Sequence, residues 1–214
     1  MIALIDYGAG NVHSVAKALE AAGATVHLTR DAREVLLADK VVLPGVGAFG
    51  DCINSLRQQG LADAIIRVAR LGRPFLGICV GMQVLFEQGE EMGSHSGLGL
   101  LHGNVVRLTQ GLVPPHRDAG TPQRRLKIPH TGWNQIEPVR LSPLLAGLPP
   151  GFWAYFNHAY YCAAQPEDVI ARVEHGTSFA AVVGRETVFG LQFHPEKSQE
   201  VGLQILRNFV ELVT

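Results

Sequence analysis

The sequence predicts an α/β fold: a central, mostly parallel sheet with helices on both faces and an additional antiparallel portion. Three observations lead there. Strand-like and helix-like segments alternate through the first half of the chain. The second half changes to strand-like runs, most of them joined by short turns. The composition supplies the core that such a fold buries, since 47% of the 214 residues are hydrophobic and 17% charged. That length suits one domain. No repeat, low-complexity tract or clean boundary divides it, so residues 1–214 are read as a single unit.

In chain order, Ile2 to Ile5 is a short apolar run. Asn11 can cap a helix whose apolar positions Val12, Val15, Ala16 and Leu19 share a face, with Gly23 as its stop. Thr25 to Leu28 and Val41 to Leu43 read as strands. Helices through Cys52 to Gln59 and Leu61 to Leu71 follow, the second closed by Gly72. Pro74 to Ile78 is a buried strand and Val80 to Gln88 a helix. Further strands are expected at Val105 to Leu108, Trp133 to Glu137, Phe152 to Phe156, Ala159 to Ala163, Val169 to Val173, Phe179 to Val183 and Val188 to Phe193. The last element, Ser198 to Val213, is a helix with Val201, Ile205, Phe209 and Leu212 on one face and Ser198 as cap. Between Thr109 and Pro129 a Pro- and Gly-rich stretch with basic residues reads as a loop.

Charge and cysteine usage exclude several classes. Lys plus Arg number 18 and Asp plus Glu 19, for a net charge of −1. No basic field is present to attract nucleic acid, and no charge run suggests a tail or a membrane surface. Cys52, Cys79 and Cys162 form no pairing pattern, which favours a reducing compartment. The N-terminus has no Lys or Arg before Lys17 and does not read as a signal peptide. The apolar stretch from Pro74 to Phe86 is too short to span a bilayer, and the longer uncharged stretch from Leu141 to Gln165 is broken by Pro143, Pro149 and Pro150. A soluble, cytoplasmic protein is expected.

Chemistry can reside in three places. Gly77-Ile78-Cys79-Val80-Gly81 stands between a strand and a helix, a cysteine version of the nucleophile elbow. The glycines allow a tight turn, and the helix N-terminus favours a thiolate. A buried structural cysteine is the plainer reading of the motif alone; Cys52 and Cys162 lack such a setting and read as core. In Gln192-Phe193-His194-Pro195-Glu196-Lys197-Ser198, His194 and Glu196 stand two apart, so in extended chain they can share a side and Glu196 can orient the imidazole. Both Cys79 and His194 fall at strand carboxyl ends, where reactive groups gather. Alone, His194 would be a surface histidine. Third, Pro44-Gly45-Val46-Gly47-Ala48-Phe49-Gly50 matches the dinucleotide fingerprint, with Asp63 near the ribose-binding distance. It follows the third strand-like run rather than the first, and such a turn can equally aim N–H groups at an oxyanion or simply connect. The nine histidines show no His-x-x-x-His spacing, and no Cys/His quartet suggests a metal.

PGVGAFGD at 44–51, PFLGICVGMQVLFE at 74–87 and GLQFHPEKS at 190–198 resemble, in order and spacing, the class I, or triad, glutamine amidotransferases. A finer resemblance, to the glutaminase subunits of imidazole glycerol phosphate synthase, rests on IDYGAGNVHSV at 5–15, GLGLLHGNVVRL at 97–108, PHTGWNQI at 129–136 and the stretch from Tyr155 to Tyr160. It covers nearly the whole chain. The resemblance implies a flavodoxin-like domain in which Cys79 is the nucleophile, His194 the general base and acid, and Glu196 its orienting partner. It implies oxyanion donors from Val80 and from the Gly45-Val46-Gly47 turn, whose peptide is thought in this family to need reorientation, and a substrate-holding role for Gln83. Asn11, Trp133, Tyr155 and Lys197 match positions facing a partner.

The implied reaction releases ammonia from glutamine and passes it to a (β/α)₈-barrel cyclase subunit, HisF, in a heterodimer. That subunit makes imidazole glycerol phosphate and aminoimidazole carboxamide ribotide in histidine biosynthesis, and no cofactor or metal is implied. Two departures are conservative: Val80 replaces the more usual Leu, and Thr131 stands where Met is common. The Pro- and Arg-rich stretch before Lys127 is longer than usual. The competing readings are the glutaminase of another amidotransferase, serving anthranilate or pyridoxal phosphate synthesis; a flavodoxin-like redox-sensing or binding protein; and a dinucleotide-binding oxidoreductase.

Overall fold

The computed structural model describes residues 1–8, 11–109 and 126–213. The loop expected between Thr109 and Pro129 therefore falls mostly outside the described residues. The first half builds β1 (Ile2–Ile5), α1 (Val12–Ala21), β2 (Val26–Thr29), α2 (Ala32–Leu37), β3 (Lys40–Gly45), α3 (Phe49–Gln58), α4 (Leu61–Arg70), β4 (Phe75–Cys79) and α5 (Val80–Gln83). Then come the short strands β5 (Gln88–Gly89), β6 (His95–Ser96) and β7 (Gly103–Arg107). The second half is β8 (His130–Pro138), β9 (Phe152–His158), β10 (Tyr160–Ala164), β11 (Val169–Glu174), β12 (Ser178–Arg185), β13 (Val188–Leu191) and α6 (Gln199–Glu211).

Nine strands form one sheet in the order β2-β1-β3-β4-β13-β12-β11-β8-β9. The first five run parallel, in the flavodoxin-like order, and the remainder are antiparallel. Strands β1, β4 and β13 are buried along their whole length, as continuous apolar runs covered on both faces must be. A second sheet, β10-β7-β5-β6, stands beside the first. The chain passes from the nine-stranded sheet to this one through a single residue, Ala159, between the end of β9 and the start of β10.

Two helix ends are fixed by side chains. Asp31 accepts the Arg33 N–H at 2.7 Å and starts α2. That helix has six residues and one buried side chain, Val35, too little for a periodic signal, and the sequence reading has no helix there. Lys40 Nζ donates to the Phe209, Val210 and Val213 carbonyls at 2.9, 2.8 and 2.5 Å, so the C-terminus of α6 is tied to the start of β3.

Four local expectations need correction. The helix after Cys79 is one turn, Val80 to Gln83, rather than reaching Gln88, because the chain turns to enter β5. Ser198 makes no side-chain cap for α6; its hydroxyl is used elsewhere, as described below. Leu212 is half-exposed, and the buried face of α6 is Gly202, Ile205, Leu206, Asn208 and Phe209. The elbow glycines act through space rather than through backbone freedom: neither Gly77 nor Gly81 has positive φ. A Cβ on Gly81 would stand 2.1 Å from the Leu43 oxygen, one on Gly77 2.5 Å from the Gly81 oxygen, and one on Gly45 2.2 Å from the Gly81 nitrogen.

Gly81→Ala should therefore force β3 and the elbow apart and cost about 1–3 kcal/mol, the usual range for overpacking. Urea unfolding of the variant beside the unchanged chain measures this; equal midpoints would contradict the packing account.

Candidate active site

The sheet register brings the reactive residues together. Cys79 pairs with Gly45 across β4 and β3, and Ile78 pairs with Leu191 across β4 and β13. Residues just past Leu191 thus lie beside Cys79. The elbow sets Cys79 at φ 56° and ψ −112°, a backbone region that side-chain-bearing residues rarely occupy. His194 is fastened by its own backbone. Its N–H donates to the Tyr155 carbonyl at 2.9 Å, and its carbonyl accepts the Ser198 hydroxyl at 2.7 Å. The same hydroxyl accepts the Tyr155 N–H at 3.0 Å.

His194 Nδ1 donates to Glu196 Oε1 at 2.9 Å, leaving Nε2 for the Cys79 thiol. The two side chains are 3% and 1% exposed. Asn11 Nδ2 donates to the same carboxylate oxygen, while Oε2 is buried without a partner. Burial alone would lower the imidazole pKa; hydrogen bonds and charge from Cys79 and Glu196 outweigh it and raise it to about 10. Burial likewise works against the Glu196 carboxylate, but His194 and Asn11 hold its pKa below the ordinary carboxylate value.

A cavity of about 120 Å³ opens in front of the thiol. Its floor is Cys79, Val80 and His194; Val46 and Gly47 lie on one side, and residues Asn157 to Tyr160 form a wall. Gln83, Glu91 and Lys197 complete the lining. Gln83 Nε2 donates to the Tyr160 carbonyl at 2.9 Å and to Gln192 Oε1 at 3.3 Å, and Gln192 Nε2 reaches Cys79 Sγ at 4.0 Å. Glu91 Oε2 accepts the Phe49 N–H at 2.8 Å, holding the far end of the Gly45–Gly47 turn at the start of α3. In that turn only Gly47 has positive φ, at 91°. The Val46 N–H faces the Tyr7 hydroxyl, a buried oxygen with which neither it nor the Cys52 thiol completes a hydrogen bond. Among the described residues no group of three or more His, Cys, Asp or Glu could hold a metal ion, and no helix is long and apolar enough to cross a membrane.

The family model "Glutamine amidotransferase class-I" matches residues 3–213. The chain belongs to the class-I glutamine amidotransferase family. Among its curated relatives, the imidazole glycerol phosphate synthase subunit HisH of Salinibacter ruber is 48% identical, over 100% of this chain and 95% of the relative. The HisH subunit of Methylococcus capsulatus is 49% identical, over 98% of this chain and 95% of the relative. A crystal structure of a glutamine amidotransferase superposes with a TM-score of 0.72 at 20% identity, covering 99% of this chain and 98% of the other. PurLQS from Thermotoga maritima does so at 0.73 and 18%, covering 100% and 98%. These two likenesses concern the fold.

Within this amidotransferase, Cys79, Val80, Gln83 and His194 line one cavity, and Glu196 stands behind it on His194 Nδ1. His194 and Glu196 share a side for a reason other than extended chain: Pro195 to Lys197 is a 3₁₀ turn that folds the carboxylate back onto the ring. Gly45 faces the elbow rather than supplying freedom, and the Val46 N–H lies by the Tyr7 hydroxyl. Of the four residues expected at a partner face, Trp133 and Tyr155 meet edge to face at 6.3 Å, and Lys197 Nζ lies 5.6 Å over the Tyr155 ring. Asn11 turns inward to Glu196 and makes no side-chain helix cap. Cys52 and Cys162 are buried; burial pushes the first up to about 12 and the second well above the ordinary thiol value. Asp63 is exposed on α4, and Gly50 packs against the His95 ring, so the fingerprint glycines have local uses.

Sequence reasoning missed Gln192, Glu91 and the buried His130 and His158. Gln192 had a signal, since it stands two residues before His194 and alternation puts both on one side. Glu91 had none: it follows the elbow run at 74–87 by four residues but lies outside every run that carries the resemblance.

The two buried histidines give a pH test. His130 is lowered to about 3 and His158 to about 4, in both cases chiefly by burial. Their folded pKa values lie below the unfolded one near 6.5, so the unfolded chain binds more protons as pH falls from about 6.5 to about 4. Each should then remove up to about 1.4 kcal/mol of stability per pH unit in that window. Urea unfolding at pH 7, 6 and 5 should show the fall, and a His130→Phe chain should show a shallower one.

Proposed function

We propose that this chain is the glutaminase subunit of an imidazole glycerol phosphate synthase, with Cys79, His194 and Glu196 as its catalytic triad. One observation carries the assignment of the triad: Cys79 and His194 stand at the ends of adjacent strands, with Glu196 on Nδ1 and Nε2 left for the thiol. The relatives named HisH, 48% and 49% identical over nearly the whole chain, support the choice of synthase.

The steps follow from the geometry. With His194 Nε2 holding the thiol proton, the Cys79 sulfur attacks the side-chain amide carbon of glutamine. Negative charge on the carbonyl oxygen is met by the Val80 N–H and, once the Gly45–Gly47 turn reorients, by the Val46 N–H. His194 passes the proton to the leaving nitrogen, ammonia departs, and a thioester remains. The imidazole then takes a proton from water, the hydroxyl adds to the thioester, and glutamate leaves as the thiol is restored. Glu196 keeps the ring in the tautomer that allows both transfers. Gln83 and the free oxygen of Glu91 offer polar groups to the α-amino and carboxylate end of the substrate.

Ammonia is worth releasing only where it is consumed. The reading therefore places a (β/α)₈-barrel cyclase, HisF, over Trp133, Tyr155 and Lys197, in a cytoplasmic heterodimer that feeds histidine biosynthesis. Asn11 touches Glu196 beside this face.

Cys79→Ser should lower glutamate release by more than about 10³-fold. Cys52→Ser and Cys162→Ser should leave it nearly unchanged. A Cys79→Ser chain that kept its rate while a Cys52 or Cys162 variant lost it would overturn the assignment.

The isolated chain should be a slow glutaminase that partner and nucleotide together accelerate. With the Val46 N–H lying by the Tyr7 hydroxyl, this reading takes one oxyanion donor to be withheld until the turn reorients, a loss worth about 10²–10³ in rate. Glutamate release by the chain alone, with the cyclase, and with cyclase plus nucleotide measures the factor. Equal rates in all three would refute gating by this turn.

A further inference from the structure

Two buried histidines beside the cavity take no part in these steps. His158 ends β9 and lines the cavity; His130 begins β8 directly opposite it. They are 6% and 4% exposed. Their hydrogen bonds have only one consistent direction. A carbonyl cannot donate, so His158 Nδ1–H donates to the Tyr160 oxygen at 2.8 Å. A neutral ring then has Nε2 bare, and it accepts His130 Nδ1–H at 3.1 Å. His130 Nε2 is bare in turn and accepts Asn134 Nδ2–H at 3.1 Å, while the second amide hydrogen goes to the Glu174 carbonyl at 2.9 Å. At the other end, the Tyr160 carbonyl also accepts Gln83 Nε2 at 2.9 Å, so both its lone pairs are engaged.

We infer that His158 and His130 are positioning residues for the glutamine pocket: their one-way chain of hydrogen bonds, anchored at Asn134, fixes the Tyr160 carbonyl and with it the Gln83 carboxamide and the wall from Asn157 to Tyr160. The inference rests on reading the cavity as a glutamine site. Packing alone does not account for imidazoles here. His130 stacks on His175 at 4.0 Å and on Phe156 at 4.7 Å, contacts that a phenyl ring would also make. The nitrogens are what phenyl lacks, and each is matched to a partner.

Substitution separates the two roles, because an Asn side-chain nitrogen falls near the place of His Nδ1. His158→Asn keeps the donor to Tyr160 and loses the ring; His158→Phe keeps the ring and loses the donor. The probe is 6-diazo-5-oxo-L-norleucine, a glutamine analogue that alkylates a pocket thiol, with labelling of Cys79 in the full chain followed by mass spectrometry. Iodoacetamide labelling of the same thiol reports whether the elbow is intact. The half-saturating analogue concentration should rise about tenfold or more in His158→Phe, the effect of one lost buried hydrogen bond. In His158→Asn, which keeps that donor but cuts the link to His130, the rise should be smaller, about threefold, with iodoacetamide rates alike in all. The reverse ranking, two equal losses or no loss in either would overturn the inference. Should His158→Phe fail to fold, His130→Asn and His130→Phe read the same ranking, since His130 also donates through Nδ1. An unchanged chain that shows no saturable labelling at Cys79 would overturn the glutaminase reading itself, and the inference with it.

Discussion

The backbones of β3 and of the elbow after β4 touch, with no side chain between them. Gly81 packs on the Leu43 oxygen, and Gly45 on the Gly81 nitrogen, at separations that leave no room for a methyl group. The site depends on this contact in two ways. It seats the strained Cys79 conformation against a rigid neighbour, so that the cost of its dihedrals is borne by packing. It also sets the Val46 turn beside the thiol, because Gly45 pairs with Cys79 in the ladder. An ordinary strand-to-helix junction spaced by side chains would put the turn and the sulfur too far apart to act on one carbonyl.

Much of this was legible in the sequence, for physical reasons that differ by element. Continuous apolar runs such as Ile2 to Ile5 and Phe75 to Ile78 mark strands covered on both faces, and they are found at those places. Motif glycines mark the elbow, although their use is close approach rather than unusual φ. The turn of 3₁₀ helix at Pro195 was not legible, since two-residue spacing fits an extended chain equally well. Helix α2 escaped because six residues with one buried side chain carry no period. Glu91 and His130 act through contacts made across the fold, and no local pattern announces such a contact.

A single carboxylate oxygen joins the two ends of the chain. Glu196 Oε1 receives both His194, two positions away, and Asn11, 185 positions away near the other terminus. The imidazole orientation thus depends on where α1 begins as well as on its own turn. Asn11 is better placed to steady the His194–Glu196 pair than to cap its helix, and Ser198 follows the same logic: its hydroxyl bridges Tyr155 and the His194 carbonyl instead of starting α6. Residues of capping type have been drawn from helix ends into the support of one histidine.

The passage between the two sheets has an evolutionary consequence. Ala159 alone separates β9 from β10, and the cavity wall is this junction. One added residue would shift β10 against β7 by a register step and exchange the faces of its side chains, removing Cys162 from the core. Lineages of this chain are thus free to lengthen or shorten connections far from the seam, whereas any change of length at Ala159 alters the cavity beside Cys79 and the second sheet at once. Variation in size should accumulate at the surface loops and leave this one-residue junction untouched.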